Sequence, residues 1–318
     1  MIKYLQKEYR RRQILDMENK LPDFLKDKLI KQYGEGLYNE ILKGYKEKRV
    51  VTLRVNTLMS TVKEVWEELT RNNIKYEKIA WSDKALVLPN NMEQDVKKID
   101  VYENGEIYLQ SLSSMLPSII MDPKEKKDIL DMTAAPGGKT TQIAALTNNN
   151  ANITACEMNN IRIEKLKYNI EKQGATSVII LQVDSRNLND YFAFDQILLD
   201  APCSGSGTID LNNESMYRNF TEKLVEKSTK SQLTLLKKAL KILKPGHEMI
   251  YSTCSILQEE NEDILEKVLK GTNAEIIPIV IKGIEDIPLL PTKIPGTLCI
   301  CPNKYYEGFF VAKVRKRK

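Results

Sequence analysis

From Ile129 onward the chain alternates short β-rich runs with longer helical stretches, and that alternation restricts its fold more than any other feature. Strands separated by helices form a parallel sheet, because each helix carries the chain back across a face of the sheet. Seven runs carry the strand signature: DILDM, ANITACEM, SVIILQVD, FDQILLDAP, EMIYSTC, AEIIPIV and GFFVAKV. Between them, Ile163, Leu166 and Ile170 recur at helical spacing, as do Leu233, Leu236, Leu240 and Leu243. Both rows read as core-facing stripes. The pattern predicts an α/β fold with a doubly wound, mostly parallel, seven-stranded sheet, whose ligands sit beyond the carboxyl ends of the strands.

Residues 1–50 read as short amphipathic helices with a basic surface. The β-rich run VVTLRVNTL follows, then a helix through VKEVWEELTRNN and strands in IKYEKIAW and ALVLP. These make a smaller α+β module, dividing the chain into residues 1–107 and 108–318. The net charge of +5 resides in the first 50 residues, which hold 13 Lys/Arg against 8 Asp/Glu; the chain ends in KVRKRK. Basic ends on a neutral body suit a polyanionic partner, and equally a solubilising surface. The start, MIKYLQKEYRRR, has charge without an apolar segment, and no apolar run approaches the ~20 residues needed to cross a bilayer. A cytoplasmic monomer without membrane contact is expected. Five scattered cysteines, no CxxC pair and a single histidine, His247, argue against a disulfide framework and leave a zinc site without ligands. No metal is expected, and catalysis must come from Cys, Asp, Lys or backbone groups.

DILDMTAAPGGKT runs from strand to glycine loop to helix. Gly137 and Gly138 let backbone approach a ligand closely, and the helix after them offers free N–H groups. The second strand ends at Glu157, where a carboxylate can take both ribose hydroxyls; the third ends at Asp184, placed to meet an adenine edge. Each acid alone could be a helix cap. Three such features at successive strand ends favour an adenosine-containing ligand.

The fourth strand leads into Asp200-Ala201-Pro202-Cys203-Ser204-Gly205 and the fifth into Tyr251-Ser252-Thr253-Cys254-Ser255. Cys156, Cys299 and Cys301 read as small core residues. Cys203 and Cys254 instead sit at adjacent carboxyl strand ends and should share one cleft. A thiolate there could add to carbon 6 of cytosine, which would activate carbon 5 toward a methyl sulfonium. Such a nucleophile must be ionised against a free thiol pKa of ~8.5. Lys139 and local helix dipoles are candidate sources of stabilisation, and Asp200 could hold the cytosine amino group and ring nitrogen.

These motifs resemble the Sun/RsmB family of S-adenosylmethionine-dependent RNA (cytosine-5) methyltransferases. The likeness runs from about Tyr108 to Lys316 through GEIYLQSLSSMLP, DMTAAPGGKT, FDQILLDAPCSGSGT, KPGHEMIYSTCS with EEN after it, and EGFFVAKV. It implies a Rossmann-like methyltransferase sheet, and the LRVNT region looks like that family's N-terminal part, which resembles an RNA-recognition fold. It further implies that Cys254 is the nucleophile and that Cys203 assists proton removal or product release. Ala134, Ala135, Pro136, Gly137, Gly138, Lys139, Thr140, Glu157, Arg162, Asp184 and Asp200 would contact S-adenosylmethionine. The RNA would be ribosomal, with transfer RNA close behind, and the target base unpaired or flipped out. His247 stands where the family commonly has a second glycine, and Cys299-Ile300-Cys301-Pro302 is unusual before the last strand.

A DNA cytosine-5 methyltransferase would use the Pro-Cys cysteine as nucleophile and leave STCS without a task. A non-catalytic RNA-binding protein of the same fold would be free to lose a cysteine, and both are kept.

Overall fold

The computed structural model describes residues 21–318. The basic Arg10–Arg12 cluster and the helices expected around it fall outside the described residues. Helix α1 (Asp23–Lys46) is one element bent at Gly34, whose φ of 75° and ψ of 162° interrupt the helical path. Leu25, Leu29, Ile41 and Leu42 on α1 are fully buried and join the core of the large domain. Each such side chain contributes about 1.5–3 kcal/mol by leaving water. Tyr33 and Tyr45 extend the same face. Their hydroxyls donate to the carbonyls of Ile256 (2.6 Å) and Ser206 (2.5 Å).

The small module comprises β1 (Val51–Val55), α2 (Val62–Arg71), β2 (Glu77–Ile79), β3 (Ser82–Leu88), two one-turn helices and β4 (Ile107–Leu109). Its strands lie antiparallel in the order β2-β3-β1-β4, a βαββαβ path of the split βαβ kind. Strand β4 pairs Leu109 with Leu53, so this sheet reaches past the 107/108 division read from the sequence. Helix α2 starts in a capping box: the Thr61 hydroxyl accepts from Glu64 N–H, and the Glu64 carboxylate accepts from Thr61 N–H. Val65 and Leu69 on its inner face pack with Leu53, Val55, Leu86 and Leu88 in a core of their own.

The large sheet follows, built from β5 (Asp128–Asp131), β6 (Asn152–Cys156), β7 (Val178–Leu181), β8 (Phe194–Asp200), β9 (Leu243–Thr253), β10 (Ala274–Ile277), β11 (Leu289–Leu290), β12 (Leu298–Ile300) and β13 (Phe309–Lys316). The helices α3 (Leu112–Met121), α4 (Gly138–Leu146), α5 (Asn160–Lys172), α6 (Glu222–Ile242) and α7 (Glu262–Leu269) connect and cover it. Five strands run parallel in the order β9-β8-β5-β6-β7. Antiparallel β13 then joins β9, and β12 and β10 join β13. All seven predicted runs are strands. The short hairpin partners β11 and β12 are added at the edge, being too brief to show a period of two.

Alternate residues of the strands enter two separate cores. Leu130, Ile197, Leu199 and Tyr251 face α1 and α6, while Ile129, Ile153, Leu198 and Ile250 face α3 and α4. Strand β8 is accordingly buried from Phe194 to Leu199 and apolar at Phe194 and from Ile197 to Leu199, with Asp195 and Gln196 as buried polar residues within it. The chain leaves β5 toward β6 and β7, then returns to β8 on the other side of β5. The switch point between β5 and β8 is where a ligand crevice opens.

Candidate active site

Two loops leave the carboxyl ends of β5 and β8 at this switch point. The Thr133 hydroxyl ties them by donating to the Asp200 carbonyl at 2.8 Å. Beyond β5 the chain turns through Ala134–Gly137, with a cis Ala135–Pro136 bond and Gly137 at φ 110°. Arg162 donates to the Ala135 carbonyl (2.6 Å) and Asn169 to that of Pro136 (2.8 Å), so α5 holds the loop from outside. Asp131, 1% exposed beneath it, accepts from the Thr140 hydroxyl (2.7 Å) and Thr133 N–H (3.2 Å). Burial outweighs those donors and pushes its carboxyl up to about 6.

Cys203 and Cys254 meet as the sequence predicted. Their sulfurs are 3.0 Å apart, both thiols are free, and both are partly exposed. The hydrogen bond to Cys254, followed by burial and the charges of Cys254 and Glu260, holds the Cys203 thiol well above its ordinary range. Cys203 therefore keeps its proton, which can be offered to the Cys254 sulfur.

Lys139 was expected to stabilise a thiolate, but the structure gives its ammonium a different first partner. It lies 2.7 Å from Asp200 Oδ2 and 2.8 Å from Ser114 Oγ. Burial alone would lower its pKa; the Asp200 carboxylate outweighs that and holds it above the ordinary value. The other Asp200 oxygen accepts from the Ser252 hydroxyl at 2.7 Å. Phe309 places its ring 5.5 Å from the ammonium. A cavity of about 850 Å³ opens over Asp131, Lys139, Asp200, Cys254 and Phe309. Its outer wall carries Lys48, Arg49 and Lys97 from the N-terminal region, with Tyr108 and Tyr305.

A second cavity, of about 800 Å³, shares Thr133 with the first and is lined by Glu157, Met158, Arg162, Val183, Asp184 and Pro202. Glu157 is almost fully buried; it accepts from Asn159 N–H at 2.8 Å and lies 3.3 Å from Arg162. Asp184 lies beyond the end of β7, caps a short 3₁₀ turn and pairs with Arg186, whose Nε is 2.9 Å from both carboxylate oxygens. Arg162 thus reaches Glu157 and the loop carbonyl together. Cys156 and Cys299 are buried core residues and Cys301 is half-buried, and burial raises all three thiols.

Sequence reasoning missed Ser114, Thr133, Ser252 and Phe309. It also assigned no role to Glu260 and Asn261, although EEN had been singled out beside the second cysteine. Among the described residues no group of three or more His, Cys, Asp or Glu side chains could hold a metal ion, and no helix is long and apolar enough to cross a membrane.

The fold and crevice define a doubly wound α/β protein that presents two adjoining thiols and an acid–lysine pair at its topological switch point. Comparison with known proteins sharpens that class. A family model described as 16S rRNA methyltransferase RsmB/F matches residues 118–315, and one described as the RsmF/B-like ferredoxin-like domain matches residues 21–95. The chain belongs to the RsmB/F methyltransferase family. Ribosomal RNA small subunit methyltransferase F of Aliivibrio fischeri (strain MJ11) is 33% identical over 307 residues, covering 92% of this chain and 64% of that protein. The 28S rRNA (cytosine-C(5))-methyltransferase of Mus musculus is 32% identical over 307 residues, covering 92% and 38%. The chain thus spans less than two thirds of the length of these relatives. A methyltransferase homolog protein from Pyrococcus horikoshii superimposes with a TM-score of 0.82 at 29% identity, covering 96% of this chain and 99% of that one.

Proposed function

We propose that this chain transfers a methyl group from S-adenosylmethionine to carbon 5 of a cytosine in RNA, through a covalent bond between Cys254 and the base. The observation that carries the reading is the pair of sulfurs 3.0 Å apart beside Asp200. Ribosomal RNA is the favoured substrate, since the relatives named above are ribosomal RNA methyltransferases.

The two cavities suit the methyl donor. Glu157 offers a buried carboxylate for the ribose hydroxyls, Met158 and Val183 an apolar slot for a purine with Asp184 at its edge, and the Ala134–Gly138 backbone a close wall. When bound, S-adenosylmethionine supplies an electrophilic methyl group to carbon 5 of the base.

The chain's own groups do the rest. The Cys254 thiolate forms a bond to carbon 6, and the electron pair released onto the ring makes carbon 5 nucleophilic. Asp200, held by Lys139 and Ser252, faces the cavity where the amino and ring-nitrogen edge of the base would lie. Negative charge leaves Cys254 as that bond forms. Cys203 then loses both the acceptor of its hydrogen bond and the neighbouring charge that held its proton. Its acidity rises, so it can release its own proton to solvent, to which it is partly exposed, and as the thiolate take the carbon 5 proton. Once that proton is gone, the electron pair reforms the 5,6 double bond and the Cys254–carbon 6 bond breaks, returning the thiolate. Lys48, Arg49 and Lys97 supply positive charge where the RNA backbone would pass.

Bisulfite sequencing of total RNA from cells with and without the gene tests the reading. At least one cytosine should lose its resistance to conversion when the gene is absent, and Cys254→Ala should not restore it. An unchanged conversion map in both ribosomal and transfer RNA would refute the activity.

A further inference from the structure

We infer that Glu260 is a positioning residue whose single carboxylate bridges the two cysteine loops and sets the sulfur-to-sulfur register, an inference that rests on the two-thiol reading of the site. Glu260 has no exposed surface. One oxygen accepts from Ser204 N–H (2.7 Å) and the other from the hydroxyls of Ser204 and Ser255 (2.5 Å each). Ser204 directly follows Cys203, and Ser255 directly follows Cys254. One side chain therefore grips the residue after each sulfur.

Its neighbour completes the grip. Asn261 accepts from the Thr253 hydroxyl at 2.6 Å and donates to the Ser255 carbonyl at 2.9 Å, holding Cys254 from both sides. The turn carrying the pair is itself anchored. Tyr251 donates to the Glu260 carbonyl at 2.6 Å, and from α1 Lys28 pairs with Glu259 while Gln32 accepts from Gln258 N–H.

The choice of a carboxylate is informative. No Lys or Arg lies within ion-pair distance of Glu260 among the described residues, and burying such a group without a cation is unfavourable. Burial accordingly raises its pKa, against the pull of its donors. A core strut alone would not need this group. What a carboxylate offers is acceptor capacity on both oxygens, which lets it take three donors from two loops at once. Glutamine cannot reproduce that, because its amide nitrogen would point a donor at donors.

The test compares full-length wild type, Glu260→Gln and the double variant Ser204→Ala/Ser255→Ala. Sulfur register is read first, without RNA, as the rate at which the diazene oxidant diamide joins Cys203 to Cys254. The two thiols give up two hydrogens to the reagent, and the cross-linked peptide is counted by mass spectrometry. Methyl transfer is read second, on total RNA from cells lacking the gene.

Glu260→Gln should slow the cross-link about tenfold or more, the lost register outweighing the thiolate gained when the Glu260 charge beside Cys203 is removed. It should lower kcat about 10- to 100-fold with KM for RNA held within about twofold, the scale of a misplacement near 1 Å. The double variant leaves the carboxylate in place but removes two of its donors; it should show a smaller loss of both rates and stands in should Glu260→Gln fail to fold. Wild-type cross-linking and kcat in the variants would overturn the inference. Slowed cross-linking in variants of a wild type that methylates no RNA would uphold Glu260 as the register-setting group while removing the cytosine reading.

Discussion

Replacing Asp131 by asparagine should make the protein more stable at neutral pH, although it alters a hydrogen-bonded group beneath the glycine loop. The Asp131 carboxyl is 1% exposed and its pKa is raised from 3.8 to about 6, burial outweighing the Thr140 and Thr133 donors. Between those values the folded chain retains a proton that the unfolded chain has released. Asp131 therefore imposes no cost below pH 3.8, and its favourable balance is lost as pH rises toward 6. At about 1.36 kcal/mol per pH unit the full cost is about 3 kcal/mol. About 2 kcal/mol of it falls between roughly pH 4.5 and pH 7.5, because the unfolded group is already mostly ionised at the lower end. The substituted asparagine keeps an acceptor for Thr133 N–H, and the Thr140 hydroxyl can turn to accept from the new amide. Urea denaturation of both proteins across that range isolates the effect as a difference, since every other titrating group is shared. Relative to wild type, Asp131→Asn should gain about 2 kcal/mol on going from the lower to the higher pH. A pH-independent difference, or a variant that loses ground as pH rises, would show that the donors dominate and that the carboxylate is stabilising.

Lys139→Met should leave the Asp200 carboxylate without its cation in a half-buried setting. The expected cost is about 1–3 kcal/mol in a denaturation midpoint, with loss of methyl transfer; wild-type turnover would remove the pair from the mechanism. Gly207→Ala should fail sterically, because a Cβ there would lie 2.0 Å from the Gly308 carbonyl oxygen. Gly207 also donates to the Cys254 carbonyl and accepts from Gly308 N–H, so the variant should lose about 1–3 kcal/mol or more. A stability equal to wild type would mean that the two loops are free to part.

The parallel half of the sheet was legible because β5, β6 and β8 are short, nearly continuously buried runs and the helices between strands, such as α5 with Ile163 and Leu166, show apolar residues at helical spacing. Both cysteines and the glycine loop were legible because function in this fold collects at carboxyl strand ends, which the sequence locates. The partners of Lys139 were not. Its local sequence gives a cation near a thiol, whereas Asp200 is 61 residues away and Ser114 is 25 residues away in the other direction. Pairings of that range follow from sheet order, which no local period encodes. Residues 1–50 read as short amphipathic helices with a basic surface, but where the apolar side docks was not legible in helix α1, which carries five lysines against four acids. Its apolar face is spread over two segments that meet at Gly34, and Tyr33 and Tyr45 close it against the loops that carry Cys203 and Cys254. Glu260 looked like one acid in an acidic turn, and what sets it apart from half-buried Glu259 beside it is its full burial and its bonds to both cysteine loops, none of which the local sequence encodes.

The central claim is that one sulfur bonds to the base while the other assists its departure, and Cys203→Ala separates the two roles. Mixed with S-adenosylmethionine and RNA from cells lacking the gene, this variant should accumulate a protein–RNA species that survives denaturation and migrates slowly in a gel. Cys254→Ala should form none. A Cys203→Ala protein that turns over at the wild-type rate with no such species would contradict the assignment of the two thiols.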